Sequence, residues 1–342
     1  MYRKIVVVIT FCCASLCSSN ALADSVAIQN TFTAGTPAVA ADVNENFSDV
    51  ASAINDNDAR IVYLENQNAE LTARIVALEN TLNQLNSVMS LQTDAQGHPA
   101  VVFSRVNVHI VNGEGNSNTI NGTGNLIVGY NEINSSPTPV CSLGSFENET
   151  DCVQSGGAWE YDHKSGSHNV VIGPEHRYSQ YGGLIAGLRN TVNGANSTVS
   201  GGLGNFASGN ISSVSGGVVN RAYGVQSSIT GGGSNRTTGL NSSISGGSSN
   251  QASGGNSHIS GGESNIASGS RSSVSGGWIN ITSGLHSSVS GGSRNEASAE
   301  TSNVCGGTAN KALGGGSVVS GGFNRSAVGI NDWVAGSLFQ DQ

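Results

Sequence analysis

Ser197-Thr198-Val199-Ser200-Gly201-Gly202-Leu203-Gly204-Asn205-Phe206-Ala207-Ser208-Gly209-Asn210-Ile211 is a fifteen-residue phrase. It restarts at Ser212, Ser227, Ser242, Ser257, Ser272, Ser287, Ser302 and Ser317 without insertion or deletion. An aliphatic column runs through Val199, Val214, Ile229, Ile244, Ile259, Val274, Val289, Val304 and Val319, with a Gly-Gly pair two residues after each. A second column is Asn205, Asn220, Asn235, Asn250, Asn265, Asn280, Asn295 and Asn310, and it ends in the last copy, where Arg325 falls and Asn324 sits one place early. So strict a period predicts stacked repeats, each coil covering the next.

Within each copy the pattern predicts a short strand at S-x-V/I-S, a Gly-Gly turn, and a second strand at N-x-A-S. A glycine turn closes it at Gly209, Gly224, Gly239, Gly254, Gly269, Gly284, Gly314 and Gly329, with Ala299 the exception. Positive φ is the expected reason for these glycines. Coils ~4.8 Å apart would make nine copies a rod of roughly 43 Å. Asn and Ser columns could hydrogen-bond along it. One aliphatic and one Ala or Thr per copy make a thin core, which predicts that the roll leans on oligomerisation.

Composition agrees with a repeat protein. The 342 residues include 48 glycines, only 5% are aromatic and 11% charged, against about a quarter charged in ordinary domains. Disorder is excluded because a disordered chain has no reason to hold aliphatics and glycines in register. The net charge of -9 is concentrated between Asp24 and Asp94. With no basic patch, nucleic acid is not an expected partner.

Residues 1–23 read as a signal peptide: Arg3 and Lys4, then an apolar stretch, then Ala21-Leu22-Ala23 as cleavage site. Cys12, Cys13 and Cys17 would leave with it. After an N-terminal segment, 24–36, Thr36-Pro37 reads as a helix start, and 37–95 as a coiled-coil stalk. Its seam alternates four and three through Val43, Phe47, Val50, Ile54, Asn57, Ile61, Leu64, Asn68, Leu71, Ile75, Leu78, Leu82, Leu85 and Met89. Such a helix would run roughly 70 Å at ~1.5 Å per residue, and Gly97 and Pro99 would end it. Asn57 and Asn68 form polar layers; Asn68 at an a position leans toward a parallel dimer.

Irregular β-roll coils are expected over 106–130 and again over 167–196, where Leu184-Ile185-Ala186-Gly187 with Asn190 reads as already in the fifteen-residue register. Between them, 131–166 reads as an insertion with Cys141 and Cys152 close enough in a secreted chain to form a disulfide. The nine-copy roll covers 197–331, and 332–342 reads as a C-terminal cap. No stretch after residue 24 supplies a membrane span.

G-x-x-N-x-A-S-G preceded by S-x-V/I-S resembles the head repeat of the trimeric autotransporter adhesins (YadA-like), strictly over about 197–330 and loosely over 107–196. The resemblance implies a mainly β fold, a left-handed parallel β-roll, and a parallel homotrimer; that family's stalks carry Asn at d positions, as Asn57 does. In that family the head precedes the stalk and a membrane barrel ends the chain, whereas here the coiled coil comes first.

No catalytic motif is present: no G-x-S-x-G, no phosphate loop, and no recurring Asp of a calcium-binding roll. His98, His109, His163, His168, His176, His258 and His286 show no paired metal spacing, although three of them fall between 163 and 176. Cys305 stands in a Ser column, and Asn196-Ser197-Thr198 falls out of the repeat. The expectation is a non-enzymatic, cofactor-free adhesin-like binding protein, secreted or at a bacterial cell surface, with periplasmic retention the alternative. Its partners would be itself as a homotrimer and an extracellular matrix protein, glycan or cell surface. A structural fibre or envelope component, and an ice-binding solenoid, are the competing functions.

Overall fold

A computed structural model describes residues 28–144 and 146–336. The expected signal peptide and the last residues of the expected cap lie outside them. The chain divides after Asn107 into two compact units.

The first unit is dominated by α1 (Ala40–Val88), a single helix of 49 residues. Two details differ from the sequence reading. Thr36 does not cap the helix: Gly35 at φ +91 turns the chain, Thr36 Oγ1 donates back to the Thr33 carbonyl at 2.8 Å, and Val39 precedes the first helical residue. The helix also ends before Met89, because Met89–Thr93 (β1) pairs antiparallel with Pro99–Phe103 (β2) around the turn at Gly97. That hairpin claims the residues expected to finish the coil. At the other end Asn30 is bound to the helix through Asn46, Asp42 and Glu45.

The second unit is a parallel β-solenoid. One ladder has 13 short strands, from Leu126–Val128 (β3) through Val170–Ile172, Leu184–Ala186 and Thr198–Val199 to Trp333–Val334. A second has 11, from Arg177–Tyr178 to Ser326–Ala327. A third column of bridges joins Leu188, Leu203, Val218 and their equivalents up to Phe323. Both expected strands of the phrase are therefore present. Of the aliphatic runs in 106–130, only Leu126–Val128 forms a strand. The coils before Val199 are one residue shorter: Val171 pairs with Ile185 and Ile185 with Val199, fourteen residues apart each time, although Asn190 already keeps the fifteen-residue spacing to Asn205.

Four residues of each phrase point inward, at the positions of Ser197, Val199, Asn205 and Ala207, all buried. The asparagines form a continuous ladder. Asn250 accepts the Asn265 backbone N–H at 3.0 Å, and its amide donates to Gly246 O at 3.1 Å and to Gly262 O at 3.0 Å in the next coil. Each such bond is worth about 1 kcal/mol net, and a buried group left unpaired costs more. The column ends gracefully, since the Arg325 backbone N–H still donates to Asn310 Oδ1 at 2.9 Å.

The three glycines of the phrase have three different standings. The second of the pair, as at Gly232, has φ +84, and a Cβ there would meet Gly247 O at 2.1 Å. Gly239 does not have positive φ, contrary to the sequence reading; it is required because a Cβ would lie 2.1 Å from Gly254 O. At the first of the pair, Gly231, nothing lies within 4 Å. Two further positions in each coil are left-handed and seldom glycine, including Ile211 at φ 60 and Val219 at φ 57. Their N–H groups donate back to the preceding coil, to Ala195 O and Leu203 O, both at 2.9 Å. These bonds hold β-branched residues in a region that costs roughly 1–2 kcal/mol each.

Two outcomes follow for chemical denaturation. Gly231→Ala should change stability by less than about 0.5 kcal/mol, whereas Gly232→Ala and Gly239→Ala should each cost more than about 2 kcal/mol. Ile211→Asn should raise stability by about 1 kcal/mol, because Asn tolerates the left-handed region and the Ile211 side chain is exposed.

Candidate functional site

The interior columns singled out in the sequence are all structural. Val199, Val214, Ile229, Ile244, Ile259, Val274 and Val289 are buried, and so are Asn205 through Asn310. The surface of the solenoid is made by the residues between them.

The first ladder turns out two columns of small polar groups: Thr198 and Ser200, Ser213 and Ser215, Ser228 and Thr230, and so on. His258, Asn303, Cys305 and Val318 interrupt them. The second ladder turns out a varied column, Phe206, Arg221, Arg236, Gln251, Ile266, Ile281, Glu296 and Lys311, while Thr191 at the start of that column is buried. Here Arg221 lies over the Phe206 ring at 5.4 Å and Arg236 over Tyr223 at 5.2 Å. Farther along, Arg294 covers Trp278 at 4.6 Å. Lys311 pairs with Glu296 at 3.2 Å across neighbouring coils.

The 131–166 segment folds over the start of this second ladder. Val140–Cys141 (β4) pairs antiparallel with Trp159–Glu160 (β5), Glu149–Gln154 (α2) lies between them, and the Cys141–Cys152 disulfide closes the loop. The spacing had pointed to that bridge, and it is present. Asn148 caps α2, accepting the Asp151 N–H at 2.9 Å. Gly157 is packed so closely that a Cβ would sit 2.8 Å from one disulfide sulfur and 2.9 Å from the other.

Hydrogen bonds pin this loop to the roll. Arg177, buried in the solenoid, donates to Tyr161 O at 2.7 Å and Thr138 O at 3.0 Å. Ser179 Oγ donates to Ser142 O at 2.7 Å, and Asn193 Nδ2 to Cys141 O at 2.7 Å and Gly144 O at 3.2 Å. Gly144 comes so near the roll that a Cβ would lie 2.7 Å from Ser208 O. Glu175 holds the loop's first residues: its carboxylate accepts from the Ser135 N–H and Oγ and from Arg189. The Arg189 hydrogen bond is the largest of the causes that bring its pKa down to about 2.

Between loop and roll is a cavity of about 230 Å³, with Trp159 and Phe146 from the loop and Phe206, Arg221 and Tyr223 from the coils among its walls. Glu147 is also in its wall and pairs with Arg236 at 2.6 Å. Burial pushes the Tyr223 phenol up to about 12, so it stays protonated as a hydrogen-bond donor.

The three histidines between 163 and 176 take separate backbone partners. His163 Nε2 bonds the Val140 carbonyl at 2.9 Å, and His168 Nδ1 the Ser117 carbonyl at 3.1 Å. His176 is the first rung of the asparagine ladder: its Nδ1 accepts the Asn190 N–H at 3.2 Å and its Nε2 donates to Ile172 O at 3.0 Å. That is the bonding of an Asn side chain performed by an imidazole, a role the sequence pattern did not reveal. Cys305 is exposed and unbridged.

On α1 no residue is buried. Phe47, Ile54, Ile61, Leu64, Leu71, Ile75, Leu78, Leu82 and Leu85 are exposed on one heptad stripe, and Asn57 and Asn68 fall within it. Phe47, Val43 and Val50 share a small apolar cleft with Ile28 and Phe32. Among the described residues no helix is long and apolar enough to cross a membrane. No protein-family model matches the chain, and no curated protein matches it in sequence.

His176 generates a pH expectation. Burial lowers its pKa below the ordinary 6.5, against the raising effect of its backbone hydrogen bonds. Its neutral rung therefore contributes full stability above about pH 6.5, and that contribution is lost as pH falls below this value, because the unfolded ring takes up a proton first. Amide protection factors in residues 170–192, taken relative to the intrinsic exchange rate at each pH, should fall between pH 7.5 and 5. His176→Asn, which keeps a donor and an acceptor without the titration, should remove that fall.

Proposed function

We propose that this is a secreted, adhesin-like binding protein, trimeric through a parallel coiled coil on α1 and presenting a left-handed β-roll as its head. The observation that carries the reading is the bare apolar stripe of α1. Burying it is worth about 25 cal/mol per Å² of apolar surface, and a helix of this length, whose apolar stripe among the described residues meets only Ile28 and Phe32 beside its first turns, calls for copies of itself. The solenoid supports the reading from the other side. Its interior holds one aliphatic and one Ala or Thr per coil among Asn and Ser, so joining copies would add the apolar burial that one roll lacks.

The repeat phrase resembles the heads of trimeric autotransporter adhesins, and Asn57 at a d position matches their stalks; these favour three strands over two. Secretion is supported by the sequence of residues 1–23 and by the disulfide, which persists in oxidising compartments. The outward face of the second ladder, with its mixed aromatic, cationic and polar column, supports recognition more than mere scaffolding. The hydroxyl columns of the first ladder favour ice binding less, since His258, Asn303, Cys305 and Val318 break their regularity.

Sedimentation of the secreted protein should give three times the chain mass, and Ile75→Asp with Leu78→Asp should shift it to one. Wild-type protein should bind a spotted array of glycans and matrix proteins, with the trimer binding at least about tenfold more tightly than the seam variant through avidity. A monomeric wild type, or a trimer that captures nothing on the array and no cells, would overturn the corresponding half of the reading.

A further inference from the structure

The cavity under the disulfide loop carries bonding capacity that the protein itself leaves unused. Asn193 and Ser208 line it and are buried, at 4% and 3% exposure, yet Asn193 Oδ1 and Ser208 Oγ have no hydrogen-bond partner. The Asn193 amide nitrogen is already committed to Cys141 O and Gly144 O, so what remains open is an acceptor. Buried polar atoms in native proteins are nearly always paired, with protein, water or ligand. Two orphans in one cavity mark a place where something with hydroxyl or amide groups belongs.

The charges narrow the choice. Arg236 is neutralised by Glu147, but Arg221 forms no carboxylate ion pair among the described residues; it lies over Phe206 and reaches only the Val219 carbonyl, at 3.5 Å. Glu147 lines the cavity too, but its carboxylate is spent on Arg236, which leaves Arg221 as the lining charge without an ion-pair partner, suited to a single carboxylate. A phosphate would call for more than one cation or a row of backbone N–H groups, and neither is here. The walls are aromatic, offering an apolar face beside the polar floor. At about 230 Å³ the space falls below the roughly 300–1,000 Å³ of clefts that enclose drug-sized molecules. It accommodates one ring.

The site also lies where the repeat departs from its own pattern. The outward residue after the inward Ala or Thr is Thr238, Ser253, Ser268, Ser283 and Ser298 in five successive copies, but Tyr223 beneath the loop. Phe206 and Arg221 occupy the neighbouring outward column there. We infer that this cavity binds one carboxylated sugar residue, of the uronic or sialic acid class, within an extended glycan. Its carboxylate meets Arg221, its apolar ring face meets the aromatic wall, and its hydroxyls supply the donor for Asn193 Oδ1 and the partner for Ser208 Oγ. The inference deepens the binding reading above and rests on it for the encounter with glycans.

The test is saturation-transfer NMR and calorimetry on the mature full-length protein with methyl glucuronide, an α-methyl sialoside, methyl glucoside and a short Glu-containing peptide. One of the two acidic sugars should bind, and methyl glucoside and the peptide should bind at least about tenfold more weakly. Arg221→Gln should lower the acidic-sugar affinity about tenfold or more and flatten its salt dependence, Arg221→Lys should restore part of it, and Ser208→Ala should weaken it several-fold. Each variant is to melt with the wild type, so that lost binding is not lost fold. Equal binding of glucoside and glucuronide, preference for the peptide, or no transfer from any sugar because water alone occupies the cavity would overturn the inference. If the array captures the protein but Arg221→Gln changes nothing, this site is wrong and the adhesin-like reading stands. If the array is also blank, both fall.

Discussion

The buried asparagine is the constraint on which the roll depends. Strands this short leave the corners between them without ladder partners, and the Gly-Gly corner of every coil turns carbonyl groups toward the inward side chains. Each asparagine answers with two donors for the carbonyls of two glycines and one acceptor for the backbone N–H of the next coil. Asp would lack the donors, and Ser would lack one of them and the reach. Of the other side chains of similar size, a neutral histidine also carries one donor and one acceptor nitrogen, and His176 is the residue that stands in for asparagine at the first rung.

From that ladder the glycines follow. For the Asn235 amide to bond the Gly247 carbonyl, that carbonyl must sit against Gly232, and it then occupies the space where a Cβ would be. A similar close approach between coils empties Gly239 of a side chain, at ordinary negative φ. Tightness of stacking, more than backbone freedom, selects glycine there, which is why positive φ was the wrong reason for that column. The interior is correspondingly narrow and half polar, so a coil's stability resides in its bonds to two neighbours, as in other one-dimensional arrays.

Fifteen-residue periodicity was enough to read the solenoid, both strands, the inward aliphatic column and the likeness of one coil to the next, because each is a statement about columns. The disulfide was legible from Cys141 and Cys152 alone. What escaped were features that depend on where backbone meets backbone: the left-handed residues at the Ile211 and Val219 positions, hidden because those columns hold a mixture, from Asn241 and Ser234 to Ile211 and Val219, with no recurring glycine, and the fourteen-residue steps at Ile185, hidden because Asn190 holds the longer register. The helix boundaries escaped because the hairpin at Met89 competes for its last turn and Gly35 turns the chain before its first. The candidate cavity could be anticipated only as an insertion. Its walls come from Trp159 and Phe206, far apart in sequence, and its open acceptor depends on Asn193 spending its amide on the loop.

The insertion and the irregular coils explain each other. The fourteen-residue steps fall between Val171 and Val199, and there the inward residue of the second ladder is Tyr178 or Val192, larger than the Ala or Thr of later copies. A repeat array is weakest where its units are least alike, since each interface contributes separately. At that stretch the loop adds bonds from Arg177, Ser179, Gln180 and Asn193, none of which the repeat phrase supplies. A loop that braces irregular coils must lie flat on them, and Gly144 against Ser208 lets it do so. Lying flat closes one side of a cavity over residues that would otherwise be open surface. The same contacts that make the solenoid's first coils stable thus create the enclosed polar floor that distinguishes this end of the roll from the uniform copies beyond it.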